Sequence, residues 1–397
     1  MDPMLVDLEP LYARIFSRAP IYDLVLSCLS PRSLVWLART CRVVYFAVAE
    51  FKGRAFNVNT HFSRYFSNPI AFRSLQARTN TLVSGSNALQ FLDRTFYPEA
   101  DLDLYTHPGH SFEVAQFLVE AEGYQYAPRD EDENDTPDWK DVIRDDWDGT
   151  QPRVFRGVST TYPLEGITSV WTFKKGALKV QIIEASSSPV EAILAFHSST
   201  YAVLSVRDRV LTDPTACVMN LITSEAAYAL YPLATFVERK SLCMPPGRHS
   251  AGAIQKYVHR GWRVYFIPTP GDISGRAPFM LNVARWVGDA DTWVLPLDQT
   301  GIPARPPLSK TSAPLTFDHV RCNGWRLKQV YEGLDNAGYY YKAHKHRLQT
   351  TVFRYNYGIP DEDLWIAIRG WANVQGRLCH GHLSKGDWVW YVCLTIV

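Results

Sequence analysis

The chain reads as an α+β protein with an N-terminal helical hairpin, a mixed-sheet α/β domain and an aromatic-rich C-terminal region of no recognisable fold. Three observations predict this. Apolar residues recur at three- and four-residue steps between Pro20 and Phe51. A strand, a Gly-Ser turn, a helix and an acidic strand follow one another between Thr81 and Tyr105. Two β-rich runs flank Lys174-Lys175-Gly176-Ala177, which reads as a hairpin. With 397 residues, 46% hydrophobic and 20% charged, the chain has the composition of a globular protein of two or three domains.

The first segment, residues 1–55, holds the hairpin. Leu24, Cys28 and Leu29 form one stripe, and Leu34, Leu37, Cys41, Val44 and Val48 form the next, with Ser30 as N-cap and Pro31 at the first helical position between them. The α/β domain spans 69–240. Pro69 opens a helix to residue 78, and Thr81-Leu82-Val83 is a short buried strand ending on Ser84-Gly85-Ser86. Asn87 to Phe96 is helical, Ala100 to Tyr105 alternates as a strand, and Ser111 to Glu122 is an amphipathic helix closed by Gly123. Residues 130–148 carry ten acidic and two basic side chains, which predicts a solvated acidic loop. Val170 to Phe173 and Leu178 to Ile183 are the hairpin strands, and Ser188-Pro189 opens a helix running to about His197. In the C-terminal region, 241–397, Pro, Gly and aromatic residues dominate from 244 to 320, and 321–397 is rich in Trp and Tyr without a detectable repeat.

Net charge is +1, from 41 basic and 40 acidic side chains, so there is no clear nucleic-acid signature and no field to recruit an anionic membrane. No apolar run approaches the roughly 20 residues that span a bilayer, and Met1-Asp2-Pro3-Met4 lacks a basic start followed by an apolar core. The expectation is an intracellular protein, cytoplasmic or nuclear, with no membrane partner. Its seven cysteines are scattered without a C-x-x-C pair and read as reduced thiols. Cys379-His380-Gly381-His382 lacks a second, suitably spaced ligand pair for zinc. Lys174, Lys175, Arg260 and Arg263 have no basic stripe to extend them and read as solvated or stem-packed side chains, and His197 reads as structural.

The constellation that bears chemistry is Gly85, Ser86, Asp101 and Asp103. Aspartates at i and i+2 of a strand share a face, where they can hold Mg²⁺, while Leu102 between them points into a core. Gly85 lets the backbone approach a phosphate, and Ser86 with the free amides of a helix N-terminus supplies donors for a nucleoside triphosphate. Through Leu82-Val83-Ser84-Gly85-Ser86 and Ala100-Asp101-Leu102-Asp103-Leu104-Tyr105, the chain resembles the DNA polymerase β-like nucleotidyltransferase superfamily. The order Pro20, Asp23-Leu24, Cys28-Leu29, Pro31, Leu34, Leu37, Cys41-Arg42 resembles the F-box, the helical module that docks a substrate receptor onto a cullin ubiquitin ligase. The combination is similar to a group of uncharacterised mushroom (basidiomycete) proteins, a likeness extended by Phe196-His197-Ser198, Cys217-Val218-Met219-Asn220 and Tyr231-Pro232-Leu233-Ala234-Thr235-Phe236.

The superfamily resemblance implies Asp101 and Asp103 as catalytic metal ligands and a third carboxylate on a neighbouring strand. In Leu178-Lys179-Val180-Gln181-Ile182-Ile183-Glu184 the matching position is Gln181, which offers an oxygen to the metal but no charge. Glu184, three residues on, faces the other way unless a bulge intervenes. Residues 199–216 read as an insertion. Their codons can carry a splice donor, branch point and acceptor, and in-frame excision joins Phe-His-Ser to Thr-Cys-Val-Met-Asn, so the segment reads either as a retained intron or as a genuine variable surface loop. Two functions are consistent with the sequence. One is an F-box-like adaptor whose nucleotidyltransferase-type domain is catalytically weakened, binds a nucleotide and partners the cullin ligase's adaptor subunit. The other is an active Mg²⁺-dependent nucleotidyltransferase acting on a hydroxyl acceptor.

Overall fold

A computed structural model describes residues 10–128, 138–143, 166–196, 215–243, 251–267, 277–303, 318–332, 338–350, 353 and 355–379. Most of the acidic segment, residues 199–214 of the insertion, His197, and His380 to His382 lie outside the described residues.

The described residues of the N-terminal segment form four helices, α1 (Leu11–Phe16), α2 (Ala19–Ser27), α3 (Pro31–Ala38) and α4 (Arg42–Ala55). Ser30 caps α3 as expected, its hydroxyl accepting from the Ser33 amide at 3.1 Å, with Pro31 at the first helical position. Two details differ from the hairpin read in the sequence. The second stripe is interrupted at residues 39–41: Cys41 is extended (φ −158°), and the Thr40 hydroxyl donates to the Leu37 carbonyl at 2.7 Å, a local bond that competes with continuing the helix. The stripe of Leu24, Cys28 and Leu29 is buried only in part, Leu29 packing against the helical core while Cys28 is exposed. Tyr22 and Leu26 are buried with Leu34, Val44, Ala47, Val48 and Phe51, whereas Leu24 is 73% exposed.

After α5 (Val58–Phe62) and α6 (Pro69–Thr79), β1 (Leu82–Ser84), α7 (Gly85–Asp93) and β2 (Leu102–Thr106) appear in the expected order. The helix α8 (Ser111–Gln116) runs on as a π-turn over Phe117–Ala121, and Gly123 follows at φ +72°. Next come β3 (Gln125–Tyr126), α9 (Trp139–Val142), and the hairpin β4 (Ile167–Lys175) with β5 (Leu178–Ala185). The helix α10 (Pro189–Phe196) and the strands β6 (Asn220–Ile222) and β7 (Ala226–Ala229) complete this part. Farther on are β8 (Lys240–Leu242), α11 (Ala251–His259), β9 (Arg263–Tyr265), β10 (Ala284–Trp286) and β11 (Trp293–Pro296). The last elements are β12 (Gly324–Glu332), β13 (Gly338–His344), β14 (His346–Leu348), β15 (Tyr357–Ile359) and a helix over Glu362–Cys379.

The main sheet is mixed, in the order β11-β7-β6-β1-β2-β5-β4-β3, with β2 and β5 parallel and the other neighbours antiparallel. It draws β11 from beyond residue 240, so the aromatic-rich region contributes an edge strand to the α/β layer. Strand alternation divides the core. Val83, Leu102, Leu104, Val180 and Ile182 pack with Phe62, Phe66, Phe72, Leu75, Leu89 and Leu118. Leu82, Tyr105 and Ile183, on the opposite face, pack with Val190, Ile193 and Leu194 of α10 and with Trp325 and Leu327 of β12. At about 1.5–3 kcal/mol for each fully buried large apolar side chain, these two layers fix the sheet far more firmly than any single polar contact at its edge. Among the described residues no helix is long and apolar enough to cross a membrane.

Candidate functional site

The register of the central strands assembles the site. Asp103 stands opposite Ser84 on β1 and opposite Gln181 on β5, and Gln181 stands opposite Thr172 on β4. One polar row therefore crosses four strands. Asp101 lies one residue before β2, and its bond to Lys179, which has the strand parity of Gln181, sets it on the side of Asp103. On β5 the same spacing puts Lys179 beside Gln181, with Lys174 of β4 opposite Lys179.

Of the sequence-predicted residues, Gly85, Asp103 and Gln181 come together. Gly85 opens α7 at φ +68°, a conformation that costs an L-residue, and a Cβ at this position would lie 2.6 Å from Asp103 Oδ2. Glycine is required here for its backbone and for its lack of a side chain. The carboxylate of Asp103 thus rests at the amino end of α7. Ser84, the N-cap residue, uses its hydroxyl elsewhere, donating to the Asn220 carbonyl at 2.7 Å. A carboxylate at that end offsets the partial positive charge of the helix terminus. Ser86 follows on the first turn and is buried.

Lys179 is the residue that reading the sequence for acidic ligands missed. Its Nζ is 2.8 Å from Asp101 Oδ2, with both side chains partly buried. Gln181 is 5% exposed, and its amide nitrogen donates to the Thr172 hydroxyl at 3.3 Å. Behind the carboxylates, the Tyr65 hydroxyl donates to the Ala100 carbonyl at 2.9 Å. Burial, reinforced by the charges of Asp103 and Asp101, holds this phenol above its usual pKa. His61 bonds through Nε2 to Asn87 Oδ1 at 2.8 Å, and burial holds its imidazole below its usual pKa.

A pair of divalent ions needs several anionic oxygens, all available to ligate. Here one of the two carboxylates holds an ammonium, and the third ligand position is a neutral amide engaged with a threonine. This donor set does not fit a two-metal centre. Glu184 supplies no remedy. The β2–β5 register runs without a break from Leu102↔Val180 to Thr106↔Glu184, so Glu184 shares the face of Val180 and Ile182, and its Oε1 accepts from the Gly109 amide at 3.4 Å. The irregularity in this region lies in the β4–β5 pairing, between Ile167 and Ser169. Among the described residues, no group of three or more His, Cys, Asp or Glu is arranged to hold a metal ion.

Three of the four basic residues considered for phosphate make other contacts, and Lys174 is exposed. The Arg260 guanidinium lies 3.6 Å from the Tyr97 ring centroid and pairs with Glu99 at 2.7 Å, and Arg263 donates to the Glu238 carbonyl at 3.2 Å. Lys175 extends over Tyr124. Cys217, Cys243 and Cys322 are buried, and Cys28 and Cys41 are more accessible.

A second feature marks the helical segment. Of twenty exposed large hydrophobic side chains among the described residues, ten lie between Leu11 and Phe46. They include Ile21, Leu24 and Val25 on α2, Val35 and Trp36 on α3, and Tyr45 and Phe46 on α4. No protein-family model, curated protein or solved structure matches the chain.

Proposed function

We propose that this protein is an adaptor or binding protein. Its helical segment docks through an apolar face, and its α/β domain supplies a recognition surface without performing nucleotidyl transfer. The observation that carries the reading is the concentration of exposed apolar side chains on α2, α3 and α4. A concentration of exposed apolar side chains of this kind marks a surface that another protein covers, because leaving it in water forfeits burial energy. With the F-box-like order of residues 20–42, the favoured partner is the adaptor subunit of a cullin ubiquitin ligase. A nucleoside triphosphate reaching Gly85 and Ser86 is in this reading a ligand rather than a substrate, because Lys179 and Gln181 leave Asp101 and Asp103 without the charge that paired Mg²⁺ ions demand.

Two measurements test the proposal. The intact chain should be retained by immobilised cullin adaptor subunit. The variant carrying Leu24→Asp and Trp36→Asp should pass through with its circular dichroism unchanged. Failure of the intact chain to be retained would remove the adaptor reading. Incubation with labelled nucleoside triphosphates and Mg²⁺ or Mn²⁺ should label wild type no more than Asp103→Ala. Labelling that Asp103→Ala abolishes would restore the transferase in its place.

A further inference from the structure

We infer that Lys179 is the resident cation of the Asp101–Asp103 pair, so that this end of the sheet is closed to divalent metal in the native chain and opens to it when Lys179 is removed. Charge balance at this one site is independent of whether the helical segment docks on an adaptor subunit.

Two carboxylates on one strand face, two residues apart, repel each other and require compensation. The structure supplies it from two sides. The Lys179 ammonium lies 2.8 Å from Asp101 Oδ2, and the amino end of α7, beside Gly85, meets Asp103. An ammonium contributes one positive charge and a helix terminus roughly half of one, so the pair is close to neutralised without an ion. A divalent cation would have to expel Lys179 from Asp101 and then coexist with it. Lys174, in register with Lys179, raises that obstacle further. The amide of Gln181 adds an oxygen but no negative charge to repay the displacement, and its nitrogen is held by Thr172. Hard cations select sites by anionic oxygen count, and here that count is reduced by an ion pair.

The position of the ammonium is set by the fold rather than by a flexible encounter. Lys179 lies on a strand paired on both sides, two residues from Gln181, and the parallel register that puts Gln181 opposite Asp103 directs Lys179 toward Asp101. Substituting Lys179 by alanine and Gln181 by aspartate changes the local charge by two units in favour of a cation. It also restores three carboxylates on neighbouring strands.

The test is Mn²⁺ titration of the full chain, with free ion read by electron paramagnetic resonance. Wild type and the Asp101→Asn, Asp103→Asn variant should deplete the signal equally, since only scattered surface carboxylates bind. The Lys179→Ala, Gln181→Asp variant should bind one further equivalent, at least about tenfold more tightly than that background. Two results overturn the inference: wild type binding an ion that is lost in Asp101→Asn, Asp103→Asn, or a folded Lys179→Ala, Gln181→Asp variant that binds no better than wild type. Lys179→Gln, which keeps much of the side chain's length without its charge, decides the matter by melting if the double substitution does not fold. Its melting temperature should rise on adding Mn²⁺ while that of wild type stays fixed. No rise in Lys179→Gln, or an equal rise in wild type, refutes the assignment.

Discussion

Gly85→Ala isolates the backbone requirement at the centre of the site. Gly85 sits at φ +68°, where an L-residue carries roughly 1–2 kcal/mol of steric strain. The new Cβ would also fall 2.6 Å from Asp103 Oδ2, inside contact distance. That atom ends a side chain, so the carboxylate turns aside instead of the strand moving, and the loss is its interaction with the α7 terminus, about 0.3–1 kcal/mol. Against these, alanine restricts the unfolded chain, which returns about 0.4–1 kcal/mol. The net expectation is a destabilisation of about 1–2 kcal/mol, dominated by the φ term. Urea unfolding followed by tryptophan fluorescence reads it as a lowered midpoint with an unchanged slope. In an Asp103→Ala background the carboxylate contact is absent, so the same substitution should cost about 0.3–1 kcal/mol less. A Gly85→Ala variant as stable as wild type would refute the strain argument. A cost identical in the two backgrounds would refute the contact with Asp103.

Arg285 is 2% exposed and bonds Asp289 through two nitrogens, at 2.6 and 3.0 Å, and the Leu230 carbonyl at 3.0 Å, between the Tyr231 and Trp325 rings. Arg285→Ala should lower stability by about 3 kcal/mol, with Arg285→Lys recovering little because lysine lacks the forked donor; a loss below about 1 kcal/mol in urea unfolding would show that the network is dispensable. For His61, the imidazole is held neutral by burial, with a pKa below its ordinary 6.5. The unfolded chain therefore binds the proton first, and the stability that this neutral ring contributes is complete above pH 6.5 and lost as pH falls through the lowered folded value. Unfolding midpoints measured between pH 7.5 and 5 should fall less steeply in His61→Phe than in wild type, and equal slopes would contradict the burial argument.

The parts of the fold legible in the sequence are those governed by local rules. Ser30-Pro31 at the start of α3, the Gly176 hairpin between β4 and β5, and Gly123 after the π-turn each follow from backbone freedom or a side-chain cap within a few residues. The helical segment was misread for an instructive reason. α2 carries apolar residues on two faces, Tyr22 and Leu26 on one, Ile21, Leu24 and Val25 on the other, and periodicity alone does not say which of them the protein buries for itself. Ile21, Leu24 and Val25 lie on the exposed face, and that exposure is the basis of the proposed docking function. The interruption between α3 and α4 was hidden because Leu37, Cys41 and Val44 keep helical spacing across it. Neither Gly nor Pro marks the break, which rests on Cys41's extended backbone and a hydroxyl-to-carbonyl bond from Thr40.

At the site, the two-residue alternation correctly placed Asp101 and Asp103 on one face and Glu184 opposite to Gln181, because parity along a strand is a local property. Lys179 has the same parity as Gln181, so its presence on the site face was available from the sequence as well. What the sequence did not supply was the ion pair, since that depends on a parallel register between strands far apart in the chain, β2 ending at Thr106 and β5 beginning at Leu178. A shift of one residue in that register would direct Lys179 to the opposite face and leave Asp101 without its partner. The residue that decides between a metal centre and an internally balanced pair is therefore fixed by tertiary pairing. A basic residue two positions from the third ligand position on such a strand should be weighed together with the missing carboxylate, because one removes negative charge and the other adds the opposite.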